Sequence, residues 1–164
     1  MTFAPIVPPN LASLFQSPTE EVFMSAVNQA LPLIDQDFQA TIASWKNGPE
    51  FVIEAAHYEG GDIVGSVSTA DEIYGYVVRG TSAHDIMPVK AKKLHFLSGY
   101  APKTYKRVIG SQAGGASGAD VFANVVHHPG SEARDFDLAI VEKRQPDFEA
   151  IVTTALNQAV SKVS

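Results

Sequence analysis

Residues Phe51–Thr69 read FVIEAAHYEGGDIVGSVST, and this stretch decides the fold. Phe51 to Tyr58 is apolar and rich in residues that suit a pleated surface. Gly60-Gly61-Asp62 then supplies a turn, and the chain returns with rough alternation, Ile63, Gly65, Val67 and Thr69 against Val64, Ser66 and Ser68. That is the pattern of a β-hairpin. Helical periodicity lies on both sides of it, so the chain is read as α+β.

Upstream, Ser17 is a good N-cap, Pro18 fits the first helical position, and Glu20 completes a capping box. Val22, Phe23, Ala26, Val27 and Ala30 mark one apolar face, which resumes with Ile34, Phe38, Ile42 and Trp45 before Gly48-Pro49 stops it. Pro32 either kinks this long helix or divides it into two that abut. Residues 1–16 carry Pro5, Pro8 and Pro9 and read as an extended arm, leaving residues 17–164 as a single domain.

Downstream, Ile73 to Val78 is a strand or a helical turn, closed by Gly80. Leu94 to Leu97 and Val121 to Val126 are strand candidates for a small, mostly antiparallel sheet. Residues 110–118 hold four glycines and read as a flexible loop. Phe136, Ala139 and Ile140 suggest a short helix, and Pro146 opens another whose stripe is Phe148, Ile151, Val152, Ala155, Leu156 and Val160. The last helix is expected to pack on the sheet.

A chain of 164 residues with 45% hydrophobic and 18% charged residues suits one globular domain and excludes a largely disordered protein. No apolar run approaches the ~20 residues of a membrane-spanning helix, and the first ten residues lack the layout of a secretory signal. Cysteine is absent, which removes disulfides, thiolate metal sites and a cysteine nucleophile together. The net charge of −6 conceals an asymmetry. Arg79, Lys90, Lys92, Lys93, Lys103, Lys106 and Arg107 face a single acid, Asp85, so residues 79–107 carry +6 and the remainder −12. Such a stripe serves either a nucleic-acid interface or a surface that meets an acidic neighbour.

Catalytic constellations do not emerge. His57, His84, His95, His127 and His128 include no pair at helical i, i+4 spacing, and adjacent His127 and His128 on a strand would point to opposite faces. His84 and His128 are better suited to hydrogen bonds that hold the turns beside them. Ser117 has Gly115 two residues before it, but Gly118 falls one residue too early for G-x-S-x-G. The acids Asp71, Glu72, Asp135 and Asp137 have no partner base. No catalytic residue, metal site or cofactor is expected.

Turn chemistry remains. Gly80-Thr81-Ser82-Ala83-His84-Asp85-Ile86-Met87-Pro88 leads into a lysine-rich run and Leu94-x-Phe96. About fifty residues on, His128-Pro129-Gly130 leads to Phe136 at the start of the closing helices. In this order and spacing the two stretches resemble the neck and tail-completion proteins of long-tailed bacteriophages, also labelled minor tail or head–tail joining proteins. The first motif is carried by Gly80, Thr81, His84, Ile86, Pro88, Lys90, Lys92, Lys93, Leu94 and Phe96, and the second by His128, Pro129, Gly130 and Phe136. Asp135 stands where the family has a proline.

The resemblance implies a structural, non-enzymatic virion component. It would be assembled in the host cytoplasm and sit at the head–tail joint, oligomerising around the axial channel with six-fold or twelve-fold symmetry. Its partners would be copies of itself and other neck or tail proteins, with DNA close by and no membrane. The basic segment would then meet a subunit or face DNA. The arm and the glycine-rich loop would become ordered on assembly. The alternative is a nucleic-acid-binding module using residues 79–107.

Overall fold

The computed structural model describes residues 18–163; the arm and the Ser17 cap lie outside the described residues. The element order is α1 (Pro18–Ile42), β1 (Val52–Glu59), β2 (Asp62–Ser68), α2 (Glu72–Arg79), β3 (His84–Ile86), β4 (Leu94–Ala101), β5 (Gly115–Ala123), β6 (Val126–His128) and α3 (Phe136–Val163). This is an α+β architecture with a long N-terminal helix, small antiparallel sheets and a C-terminal helix.

α1 is one helix of 25 residues that runs through Pro32. The proline ring lies on the exposed side, while Ala30, Leu31, Ile34 and Phe38 around it are buried. A missing backbone donor and a ring clash cost about 3 kcal/mol in a helix interior, and the continuous apolar stripe on both sides offsets that cost.

β1 and β2 form the hairpin expected from Phe51–Thr69, with Glu59 opposite Asp62 across the Gly60-Gly61 turn. β2 is largely buried and β1 largely exposed. Ile63 and Val67 of β2 share one core with Phe23, Val27, Leu31 and Phe38 of α1 and with Phe136 and Ile140 of α3. α1 thus closes over the hairpin, and α3 packs on α1 while its Phe136 and Ile140 join the same core.

The run at Ile73–Val78 is helical. Asp71 decides this: its carboxylate accepts the Tyr74 N–H at 2.7 Å and caps α2. Tyr74, only 1% exposed, becomes the hub of the core. Its ring meets Phe51 at 5.1 Å, Phe136 and Trp45 at 6.2 Å, and Phe38 at 6.4 Å.

Three sequence readings need correction. Residues 115–118 belong not to a flexible loop but to β5, which pairs with β4 from Ala101↔Gly115 to Leu94↔Ala123. The pairing absorbs a register shift between Leu97 and Gly99, and Ser98 Oγ accepts the Ala119 N–H at 3.1 Å. Both faces of this ribbon are mostly exposed, so no hydrophobic alternation marks it in the sequence. Second, Val121–Val126 is not one strand; β5 ends at Ala123 and β6 begins at Val126. Third, Pro146 does not open a new helix. α3 is one helix of 28 residues that contains it, held against α1 by Ile140 and Arg144 before the proline and by Ala155 beyond it.

Candidate assembly site

The two motif stretches form one structural unit. Thr81 and Ser131 make an isolated antiparallel bridge, with both backbone N–H···O bonds in place at 3.0 and 3.1 Å and their hydroxyls 3.1 Å apart. Beyond the bridge, β3 pairs with β6 from His84↔His128 to Ile86↔Val126.

The glycines let the chains come this close. Gly80 has φ 74° and Gly130 φ 90°. A Cβ on Gly130 would press on the Thr81 carbonyl and lie 2.9 Å from the Ser82 carbonyl carbon, and one on Gly80 would lie 2.7 Å from Ala133 N. Gly130→Val therefore combines left-handed strain with a backbone clash, and is expected to cost about 2–4 kcal/mol. Urea denaturation checks this; an unchanged midpoint would show that the turn can relax freely.

His84 and His128 stack with centroids 5.1 Å apart. The Ser82 carbonyl lies 2.9 Å from His84 Nδ1, which donates to it, whereas Gly130 N–H donates to His128 Nδ1 at 3.0 Å. The two imidazoles therefore carry opposite tautomers, each fixed by a turn backbone. Pro88 follows β3 on the connection to β4, and Pro129 follows β6, between His128 and Gly130.

Phe136 is fully buried against Tyr74. Before it, Asp135 has φ 51°. Proline, fixed near −65°, could not adopt that conformation at the start of α3.

The ribbon returns to the body. β3 and β6 leave from the Thr81–Ser131 bridge, and beyond the β4–β5 pair the connecting residues 102–114 dock back. Lys103 Nζ donates to the Ser44 carbonyl at 3.0 Å, Ser111 Oγ accepts the Ser44 N–H at 2.8 Å, and Arg107 N–H donates to the Arg134 carbonyl at 2.7 Å. Beneath the ribbon lies an open cleft of about 680 Å³ lined by Trp45, Ile73, Val77, Tyr100, Lys103 and Arg134, among others.

The basic segment divides in two. Lys106 pairs with Glu132 and Asp135 at 3.4 and 3.6 Å, Arg107 with Glu142, and Lys103 with Ser44. Those three cations hold the loop to the body. The Arg79 guanidinium folds back over Gly75 of its own helix. Lys90, Lys92 and Lys93 are exposed on the bend between β3 and β4, and form no ion pair among the described residues.

Two histidine–aspartate pairs cross the ribbon, His95 to Asp120 at 2.6 Å and His127 to Asp85 at 2.8 Å. His127 thus points away from the His84–His128 stack, as alternation along a strand requires. Neither pair includes a serine or threonine hydroxyl, and Ser117 sits opposite Gly99. Among the described residues no group of three potential metal ligands occurs, and no helix is long and apolar enough to cross a membrane.

Sequence reasoning did not identify the ribbon's exposed apolar side chains: Tyr100 is 72% exposed, Phe122 62% and Val89 94%. Only the fold distinguishes these from core residues of the same type. No family model, curated protein or solved structure matches the chain.

Proposed function

We propose that this protein is a structural component of a phage-type particle, a neck or tail-completion protein that acts in head–tail joining by oligomerising around the axial channel. The observation that carries the reading is the Thr81–Ser131 bridge: both stretches behind the family resemblance meet there and launch one projecting ribbon. Three separate two-stranded sheets support it, because such pairs are marginal alone and leave strand edges open to neighbours. Large apolar side chains exposed on the ribbon and on β1 add surface that an assembly would bury.

The same reading assigns the protein to the virion, with no catalytic role. Its partners are further copies of the chain and other neck or tail proteins. The arm before α1 is assigned to contacts with a neighbour.

Native mass measurement of the purified protein and of disrupted particles tests this. A closed ring with six-fold or twelve-fold copy number, present in particles, is expected. A protein that stays monomeric at high concentration and is missing from particles would overturn the proposal. Steeply salt-dependent DNA binding by a monomer would instead favour the nucleic-acid module.

A further inference from the structure

The charge along this chain reverses sharply at Arg79. From residue 47 to residue 78 there are six acids, Glu50, Glu54, Glu59, Asp62, Asp71 and Glu72, and no lysine or arginine. The basic segment begins at Arg79. Lys90, Lys92 and Lys93 of that segment, which form no ion pair among the described residues, lie on the ribbon's bend, beside exposed Met87 and Val89 and next to the pairing of His95 with exposed Phe122 across β4 and β5.

The acidic side has matching features. β1 is hydrogen-bonded to another strand along one edge only. Glu50, Glu54 and Glu59 are exposed on or beside it, and Val52, 62% exposed, shares the face of Glu54 and Glu59. One surface is thus acidic and apolar, the other basic and apolar. They belong to different sheets, and no ion pair joins them within the described chain.

We propose that the ribbon bend of one copy seats on the β1–β2 hairpin of a second copy, lysines against Glu50 and Glu59, with Met87 and Val89 against Val52, which shares a face with Glu54 and Glu59. This rests on the ring reading above and names its contact. The interface is heterologous: each copy offers both surfaces, so the contact repeats head to tail and closes when the rotation allows. The apolar side chains supply burial, while the surrounding charges set register and association rate and make assembly sensitive to salt. DNA would satisfy the lysines but would leave the acidic, apolar β1 surface without an occupant. A second copy satisfies both.

Charge reversal with exchange tests the contact. One variant carries Lys90→Glu, Lys92→Glu and Lys93→Glu; the other carries Glu50→Lys and Glu59→Lys. Glu54 is spared because Ser66 Oγ donates to it at 3.2 Å. All the changed side chains are exposed, so melting curves should match the wild type. Each variant alone should need on the order of tenfold more protein to assemble, because like charges then meet at every contact. An equimolar mixture should recover the wild-type mass, since alternating copies restore opposite charges around an even-numbered ring.

Wild-type assembly that neither variant weakens would overturn this contact and leave the ring reading standing. So would a mixture that stays dissociated. A wild type that never assembles would overturn both. Loss of duplex DNA binding in the lysine variant, with its oligomer mass unchanged, would place the lysines on nucleic acid instead.

Discussion

Replacing Tyr74 by alanine is expected to destabilise the protein by about 3–5 kcal/mol, the range for emptying a large aromatic site in a packed core. Four aromatic rings, from α1, the following segment, the residue before β1, and α3, contact this one side chain. Its removal therefore loosens elements that the sequence places far apart. Tyr74→Phe keeps the ring and loses the Thr41 hydroxyl contact at 3.2 Å. Thr41 still donates to the Phe38 carbonyl at 2.7 Å, so this change should cost only about 0.5–1.5 kcal/mol.

The phenol also sets an alkaline limit. Burial pushes the Tyr74 hydroxyl up to about 12, against the Thr41 hydrogen bond and with the Asp137 carboxylate adding to the rise. A folded value above the unfolded value of 10.0 means the contribution is intact below pH 10 and is lost as pH rises through about 12. Urea midpoints taken at rising pH should fall in that window for the wild type and much less for Tyr74→Phe. Equal slopes for the two proteins would show that Tyr74 ionises without unfolding.

Asp37→Ala should be comparably damaging, at about 3–5 kcal/mol, because it strands a cation between two helices. Asp37 is 3% exposed on α1. It accepts from Arg144 Nε at 2.6 Å, Arg144 NH2 at 3.0 Å and Lys143 Nζ at 2.7 Å on α3. Among the described residues Arg144 would keep Asp147 alone as an acidic partner, at 2.8 Å. A double variant, Asp37→Leu with Arg144→Met, should recover most of the loss, since apolar replacement of a buried pair is often neutral. Failure to recover would mean that packing, not the orphaned charge, causes the damage.

Burial by itself would raise the Asp37 carboxyl, but Arg144 and Lys143 outweigh it and hold the group below its ordinary 3.8. The pair's stabilisation is therefore present above about pH 4 and lost as pH falls through the lower folded value. Wild type should lose more stability than Asp37→Ala between neutral and acid pH, as denaturant titrations at the two pH values would show.

Local chemistry was readable in the sequence where one residue type commits the backbone. The Gly60-Gly61 turn fixes the hairpin, Phe23 to Phe38 mark the buried face of α1, and Gly80 and Pro129-Gly130 announce sharp turns. Each signal acts within a few residues, through backbone sterics or the period of burial. Pro146 misled for the same reason, whereas Pro32 lies within one long helix, as one of its two readings had it. Their local cost is real, but packing of α1 against α3 along their length outweighs it. The glycine-rich start of β5 misled because a strand exposed on both faces has no burial period to read, and its order comes from pairing with β4.

The candidate site divides the same way. The sequence by itself determined that two turns and seven cations exist. Only the tertiary structure decided that the turns meet across Thr81 and Ser131, that Lys103, Lys106 and Arg107 are tied to the body, and that Lys90, Lys92 and Lys93 are left on the bend. The reason is range. Turn preference belongs to a few adjacent bonds, whereas a charge acts on whatever the fold brings within a few ångströms, and no spacing along the chain encodes that distance.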